Sequence, residues 1–162
     1  MIKVLIADDE PRIRRGIRNI IGLEDGFEIV GEAEDGEEAL CLAKEKKPDI
    51  LLLDICMPFL NGIQLIEELN KALCNPVVII ISGHDEFNYA QAALRLKVFD
   101  YILKPIDREN FKITLSKAKE EVVSRIKENE KESFKNKVLE NNISYFSNRY
   151  SKTKIIYHIF SS

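Results

Sequence analysis

The chain has 162 residues, 45% hydrophobic and 31% charged, with a net charge of -3. That is room for one domain with a sizeable core plus some excess, and no overall charge argues for a nucleic acid or a membrane surface as partner. The charge is uneven: residues 1–106 hold twelve Lys/Arg against nineteen Asp/Glu, and residues 107–162 hold twelve against eight, which suggests an acidic domain followed by a basic extension.

The N-terminal apolar run is five residues, too short for the core of a secretion signal, and two aspartates follow it at once. No stretch approaches the roughly 20 apolar residues of a membrane helix. Cys41, Cys56 and Cys74 are odd in number and lack metal-ligand spacing, so reduced cytosolic thiols are expected.

Residues 3–7 (KVLIA) are a short apolar run ended by Asp8 and Asp9, as in a strand buried on both faces. Pro11 suits a helix's first turn, and Ile13, Ile17, Ile20 and Ile21 follow at helical spacing, with Arg12, Arg14, Arg15 and Arg18 expected on a solvated face. Residues 27–33 form a second strand. Asp35 and Glu38 resemble a capping box for a helix over 36–46, with Ala39, Leu42 and Ala43 inward.

Pro48 stops that helix, and DILLLD (49–54) is the strongest buried strand. Asn61 caps the next helix, with Gln64 three residues on. VVIII (77–81) is a fourth strand, 86–95 a short helix and FDYIL (99–103) a fifth strand, closed by Lys104-Pro105. A last helix starts near Asp107, with Phe111, Leu115, Ala118, Val122 and Ile126 on one stripe. KENEKE (127–132) has no inward residue, and Phe134, Val138 and Leu139 restart an apolar stripe. After Asn141-Asn142 little helical or strand period is legible.

Five wholly apolar strands alternating with five helices imply an α/β fold, a doubly wound parallel sheet covered on both sides. The flavodoxin-like (βα)5 order 2-1-3-4-5 is expected, with an extended C-terminal helix. Residues 1–125 form the domain, and 126–162 a helical linker and tail of unassigned role.

In such a sheet ligands bind beyond the carboxyl ends of the strands. Asp8 and Asp9 end strand 1, Asp54 ends strand 3, Ser82-Gly83 end strand 4 and Lys104-Pro105 end strand 5. Strands 1 and 3 are neighbours in this order, so three carboxylates converge. Carboxylates this close cannot all ionise freely unless a cation intervenes. Mg2+ suits one or two carboxylates, waters and a phosphate. Lys104 can reach one phosphoryl oxygen, Ser82 can donate to another, and Gly83 leaves room. With no base-activated Ser or Cys, a carboxylate is the plausible acceptor. Taken singly, each signal has an ordinary reading: Asp-Asp as a turn, Asp54 beside turn chemistry, Ser82 as a loop hydroxyl, Lys104 as a surface lysine, Tyr101 as a half-buried strand aromatic. Their common register gives them weight. His84 and His158 lack a metal-binding set and are read as structural or exposed.

IADDEP, LLLDICMPFLNG, IIISGHD and FDYILKPID together resemble the receiver domains of two-component response regulators, in unbroken order from residue 1 to about 125. The resemblance implies that Asp54 accepts a phosphoryl group from a sensor histidine kinase's phosphohistidine. Asp9 and Asp54 would ligate Mg2+ directly, Asp8 through water, and the backbone carbonyl of Cys56 would be the third protein ligand. Ser82 and Lys104 would hold the acyl phosphate, Tyr101 would follow Ser82 as the switch aromatic, and Lys104-Pro105 would be cis. The segment from Ser82 to Asp107 is most similar to receivers that precede AraC-type helix-turn-helix domains. A truncated cytoplasmic transcriptional regulator is therefore expected: a phosphoacceptor, not an enzyme, forming a homodimer on phosphorylation. The basic tail has no recognisable reading helix, so no direct DNA contact is expected unless an output domain is missing. Two other readings stand beside this one. A phosphohydrolase would need an acid-base group near the acceptor, and none is evident. A phosphate-independent dimerisation or interaction module would use the face from Phe111 to Val138, which is not a clean heptad.

Overall fold

The computed structural model describes residues 1–83 and 87–160, with side chains through residue 147 except 87 and 146. His84 and the side chain of His158 lie outside these described residues, as does residue 86, the expected start of the fourth helix. The elements run β1 (Ile2–Ala7), α1 (Pro11–Ile21), β2 (Phe27–Ala33), α2 (Gly36–Lys46), β3 (Ile50–Leu53), α3 (Gly62–Lys71), β4 (Val77–Ser82), α4 (Phe87–Arg95), β5 (Asp100–Leu103) and α5 (Arg108–Phe160). The five strands are parallel in the order β2-β1-β3-β4-β5, the expected flavodoxin-like doubly wound sheet.

Strand alternation explains why the two central strands, β3 and β4, are buried at every position, whereas β2 and β5 at the sheet edges carry Glu28, Glu32 and Asp100 and are not the wholly apolar strands expected. Leu5, Ala7, Leu51, Leu53, Val78 and Ile80 pack with Ala39, Ala43, Leu65, Leu69 and Ala93 of α2, α3 and α4. Their neighbours Val4, Ile6, Ile50, Leu52, Ile79 and Ile81 pack on the other face with Ile17, Ile21, Phe111, Leu115 and Val122 of α1 and α5. Each of these side chains enters one of two cores, so no position of β3 or β4 faces water, while Glu28 of β2 and Leu103 of β5 are exposed at the sheet edges.

The starts of α2, α3 and α5 carry side-chain caps. Asn61 and Gln64 form the full capping box at α3. At α2, Asp35 accepts from Glu38 N at 2.8 Å, but Glu38 returns its bond to Glu34 N, one residue before the cap. Asp107 caps α5 through Asn110 N.

Contacts divide the chain into two compact units, Met1–Val122 and Val123–Ser162. In the first, Phe111, Leu115, Ala118 and Val122 are buried as expected. Ile126, assigned to the same stripe, falls in the second unit and is 46% exposed, because the packed face ends with Val122. In the second unit helix continues to Phe160, where the sequence past Asn142 shows little period. Pro105 is the last proline and Gly83 the last glycine, so nothing after them breaks the helix once it has started.

Candidate functional site

Three backbone hydrogen bonds carry the sheet ladders one residue past the strands. Asp8 N donates to Ala33 O at 3.1 Å, Asp54 N to Ala7 O at 2.8 Å, and Lys104 N to Ser82 O at 2.9 Å. The carboxyl ends of β1, β3, β4 and β5 are thus held side by side, and Asp8, Asp54 and Lys104 continue the backbone ladder of the sheet. The Lys104–Pro105 peptide is cis.

Asp8 and Asp54 are 1% and 4% exposed, whereas Asp9 and Glu10 are exposed. One carboxylate oxygen from each of these four residues lies within 4.8 Å of the others. Lys104 Nζ sits 2.9 Å from Asp8 Oδ2, 3.0 Å from Glu10 Oε1 and 3.4 Å from Asp54 Oδ2. Asp8 Oδ1 accepts from Glu10 N at 2.9 Å. Asp8 Oδ2 is buried with no hydrogen bond, because the lysine contact is close but lacks hydrogen-bond geometry.

Burial raises the pKa of both Asp8 and Asp54. Lys104 pulls both down without cancelling the effect, and the Asp8 charge pushes Asp54 up further. Burial also opposes the Lys104 ammonium, but the close contacts with Asp8 and Glu10 and the charge of Asp54 outweigh it and raise its pKa. One amine therefore faces more negative charge than it neutralises. The buried Asp8 oxygen, ion-paired but not hydrogen-bonded, and the all-oxygen donor set suit a hard divalent cation, and this acidic pocket could hold one.

Each anticipated site residue can be placed. Asp8, Asp9, Asp54 and Lys104 come together. Cys56 follows Asp54 and its N–H donates to Asp54 Oδ1 at 3.4 Å. Ser82 is fully buried beside Leu103 in the ladder, and Tyr101 is half-buried opposite Ile80. Alternation puts Ser82 and Tyr101 on the same face of the sheet. Among the described residues a Cβ on Gly83 would meet Lys104 Cδ at 3.9 Å, an ordinary van der Waals contact.

Two participants escaped the sequence reading. Glu10 joins the acidic set, and its only signal was a third consecutive acid after the strand. Arg14 was assigned to a solvated face, yet its side chain is 11% exposed. It donates to Asp8 O at 2.7 Å and to Glu34 at 2.9 Å, which pins the turn carrying Asp8. Arg18 likewise pairs with Glu32, at 3.1 Å.

Residues 4–116 match the family described as the response regulator receiver domain. The transcriptional regulatory protein HptR of Staphylococcus aureus is 40% identical over 118 residues, covering 72% of this chain and 46% of that protein. The chain thus spans about half the length of the curated relatives it matches. Among solved structures, the REC domain of AraT, a response regulator from Geobacillus stearothermophilus, is 46% identical with a TM-score of 0.69, covering 76% of this chain and 96% of that one. The CheX-CheY-BeF3-Mg complex from Borrelia burgdorferi is 31% identical with a TM-score of 0.66, covering 70% and 86%.

Proposed function

The chain belongs to the response regulator receiver domain family, and from that premise we propose that it is a phosphorylation-controlled signalling switch whose acceptor is Asp54. The supporting observation is the convergence of four carboxylates, three of them around one amine, with Lys104 Nζ 3.4 Å from Asp54 Oδ2. The donor would be the phosphohistidine of a sensor histidine kinase. Asp54 attacks phosphorus, the P–N bond breaks as the P–O bond forms, and the histidine keeps the electron pair.

Mg2+ would be held by Asp9, Asp54 and the Cys56 backbone carbonyl, with Asp8 acting through water, and would neutralise charge on the phosphoryl oxygens. Lys104 supplies a further positive charge at the acceptor. The Ser82 hydroxyl, at the mouth of β4, donates to a phosphoryl oxygen. Its inward shift would let Tyr101, on the same sheet face, follow and bias the α4-β5-α5 surface.

This assigns residues 1–125 to the receiver and 126–162 to a helical linker and tail. The chain is a phosphoacceptor, cytoplasmic, and a homodimer when phosphorylated. A transcriptional output would come from an AraC-type domain beyond these residues. No helix among the described residues is long and apolar enough to cross a membrane.

Incubation with acetyl phosphate and Mg2+ should add one phosphoryl mass to the intact chain, and none to Asp54→Asn. An unmodified wild type at saturating donor would refute the reading. Sizing with and without beryllofluoride and Mg2+ tests the dimer. A size that ignores both would favour phosphate-independent association, for which the exposed Phe134, Val138, Leu139 and Ile143 of α5 offer apolar surface.

A further inference from the structure

Resting on the reading of Asp54 as acceptor, we propose that Glu10 is a positioning residue: it holds the Lys104 amine on the β1 side of the cleft, and releasing that hold limits the rate of Asp54 phosphorylation. Glu10 is the N-cap residue of α1, yet its side chain makes no capping bond. Glutamate is also not a favoured N-cap type. The first-turn donors are served otherwise, with Glu10 O accepting from the N–H groups of Ile13 and Arg14 and Asp8 Oδ1 taking Glu10 N. The Glu10 carboxylate is thus committed to Lys104, at 3.0 Å, closer than Asp54 at 3.4 Å.

The three acids around the amine differ in freedom. The Asp8 and Asp54 side chains are 2% and 5% exposed and stand on backbone held by the ladder ends, whereas Glu10 is 58% exposed. An ammonium has three protons to give. A phosphoryl oxygen arriving on Asp54 needs one of them, and Glu10 at the rim is the partner that can swing into water. An exposed ion pair of this kind changes an equilibrium by about two- to five-fold.

The test follows modification of the full chain by acetyl phosphate and Mg2+, in which the Asp54 oxygen bonds phosphorus as the phosphorus–oxygen bond to acetate breaks and acetate leaves with the electron pair. Glu10→Gln should be modified about two- to five-fold faster than wild type at saturating donor, with an unchanged thermal midpoint. Glu10→Asp keeps the rim charge but is one methylene short of the amine, so it should be accelerated as Glu10→Gln is. In a Lys104→Met background the Glu10→Gln acceleration should vanish. Equal rates in wild type and Glu10→Gln would overturn the proposal. So would a Glu10→Asp rate equal to wild type, or acceleration that survives Lys104→Met, since either would mean that Glu10 merely repels the anionic donor. A wild type with no modification at Asp54 would overturn the assigned function itself, and this inference with it.

Discussion

A Cβ on Gly62 would lie 2.6 Å from the carbonyl oxygen of Asp54. The first residue of α3 is packed onto the backbone that carries the acceptor, and Gly62 N donates to Ile55 O at 2.8 Å. The obstacle is backbone, which cannot rotate aside. Gly62→Ala should therefore destabilise the fold by about 1–3 kcal/mol. A lower urea midpoint with an unchanged slope is the expected result, and an unchanged midpoint would mean the β3-α3 loop yields freely.

Asp8 shows what the crowding costs. Its raised pKa, caused chiefly by burial, means the folded protein binds the proton more tightly than the unfolded chain does. The resulting stabilisation is complete below the ordinary value of 3.8 and is lost as pH rises through the folded value. Metal-free Asp8→Asn should then exceed metal-free wild type at pH 7 by roughly 1 kcal/mol. The difference should shrink as pH falls through the folded-state pKa. A less stable variant at neutral pH would show that pairing with Lys104 outweighs burial.

Magnesium should relieve the same crowding. At ten times its Kd it would raise wild-type stability by roughly 1.4 kcal/mol, read as a rise in thermal midpoint. Asp9→Asn and Asp54→Asn should each lose most of that rise. An equal response in all three proteins would place the ion elsewhere.

Phe59 has a φ of 67° and is 79% exposed. A side chain with a Cβ costs roughly 1–2 kcal/mol in this left-handed region, while glycine enters it freely at some entropic cost. Phe59→Gly should raise stability by roughly 0.5 kcal/mol, measured by urea unfolding. A clear loss would mean that the ring supports the β3-α3 loop despite its exposure.

The sheet order, the caps at Asp35 and Asn61 and the meeting of Asp8, Asp9, Asp54 and Lys104 were legible in the sequence. They follow from periodicity, from local capping chemistry and from the rule that places ligands at the carboxyl ends of parallel strands. Glu10 and Arg14 were not legible as site residues. Whether an acid next to a helix start caps that helix or reaches across to a lysine 94 residues away depends on how β5 sits beside the cleft. Likewise, an arginine on a polar helix face reads as solvated until the turn below it offers the Asp8 carbonyl. The extent of α5 was missed for the opposite reason. Past Asn142 the signal is the absence of Gly and Pro, not a period. Local patterning determined which residues form each element. Only tertiary packing decided which charges meet, because a side chain's partner is set by distance in space and not along the chain.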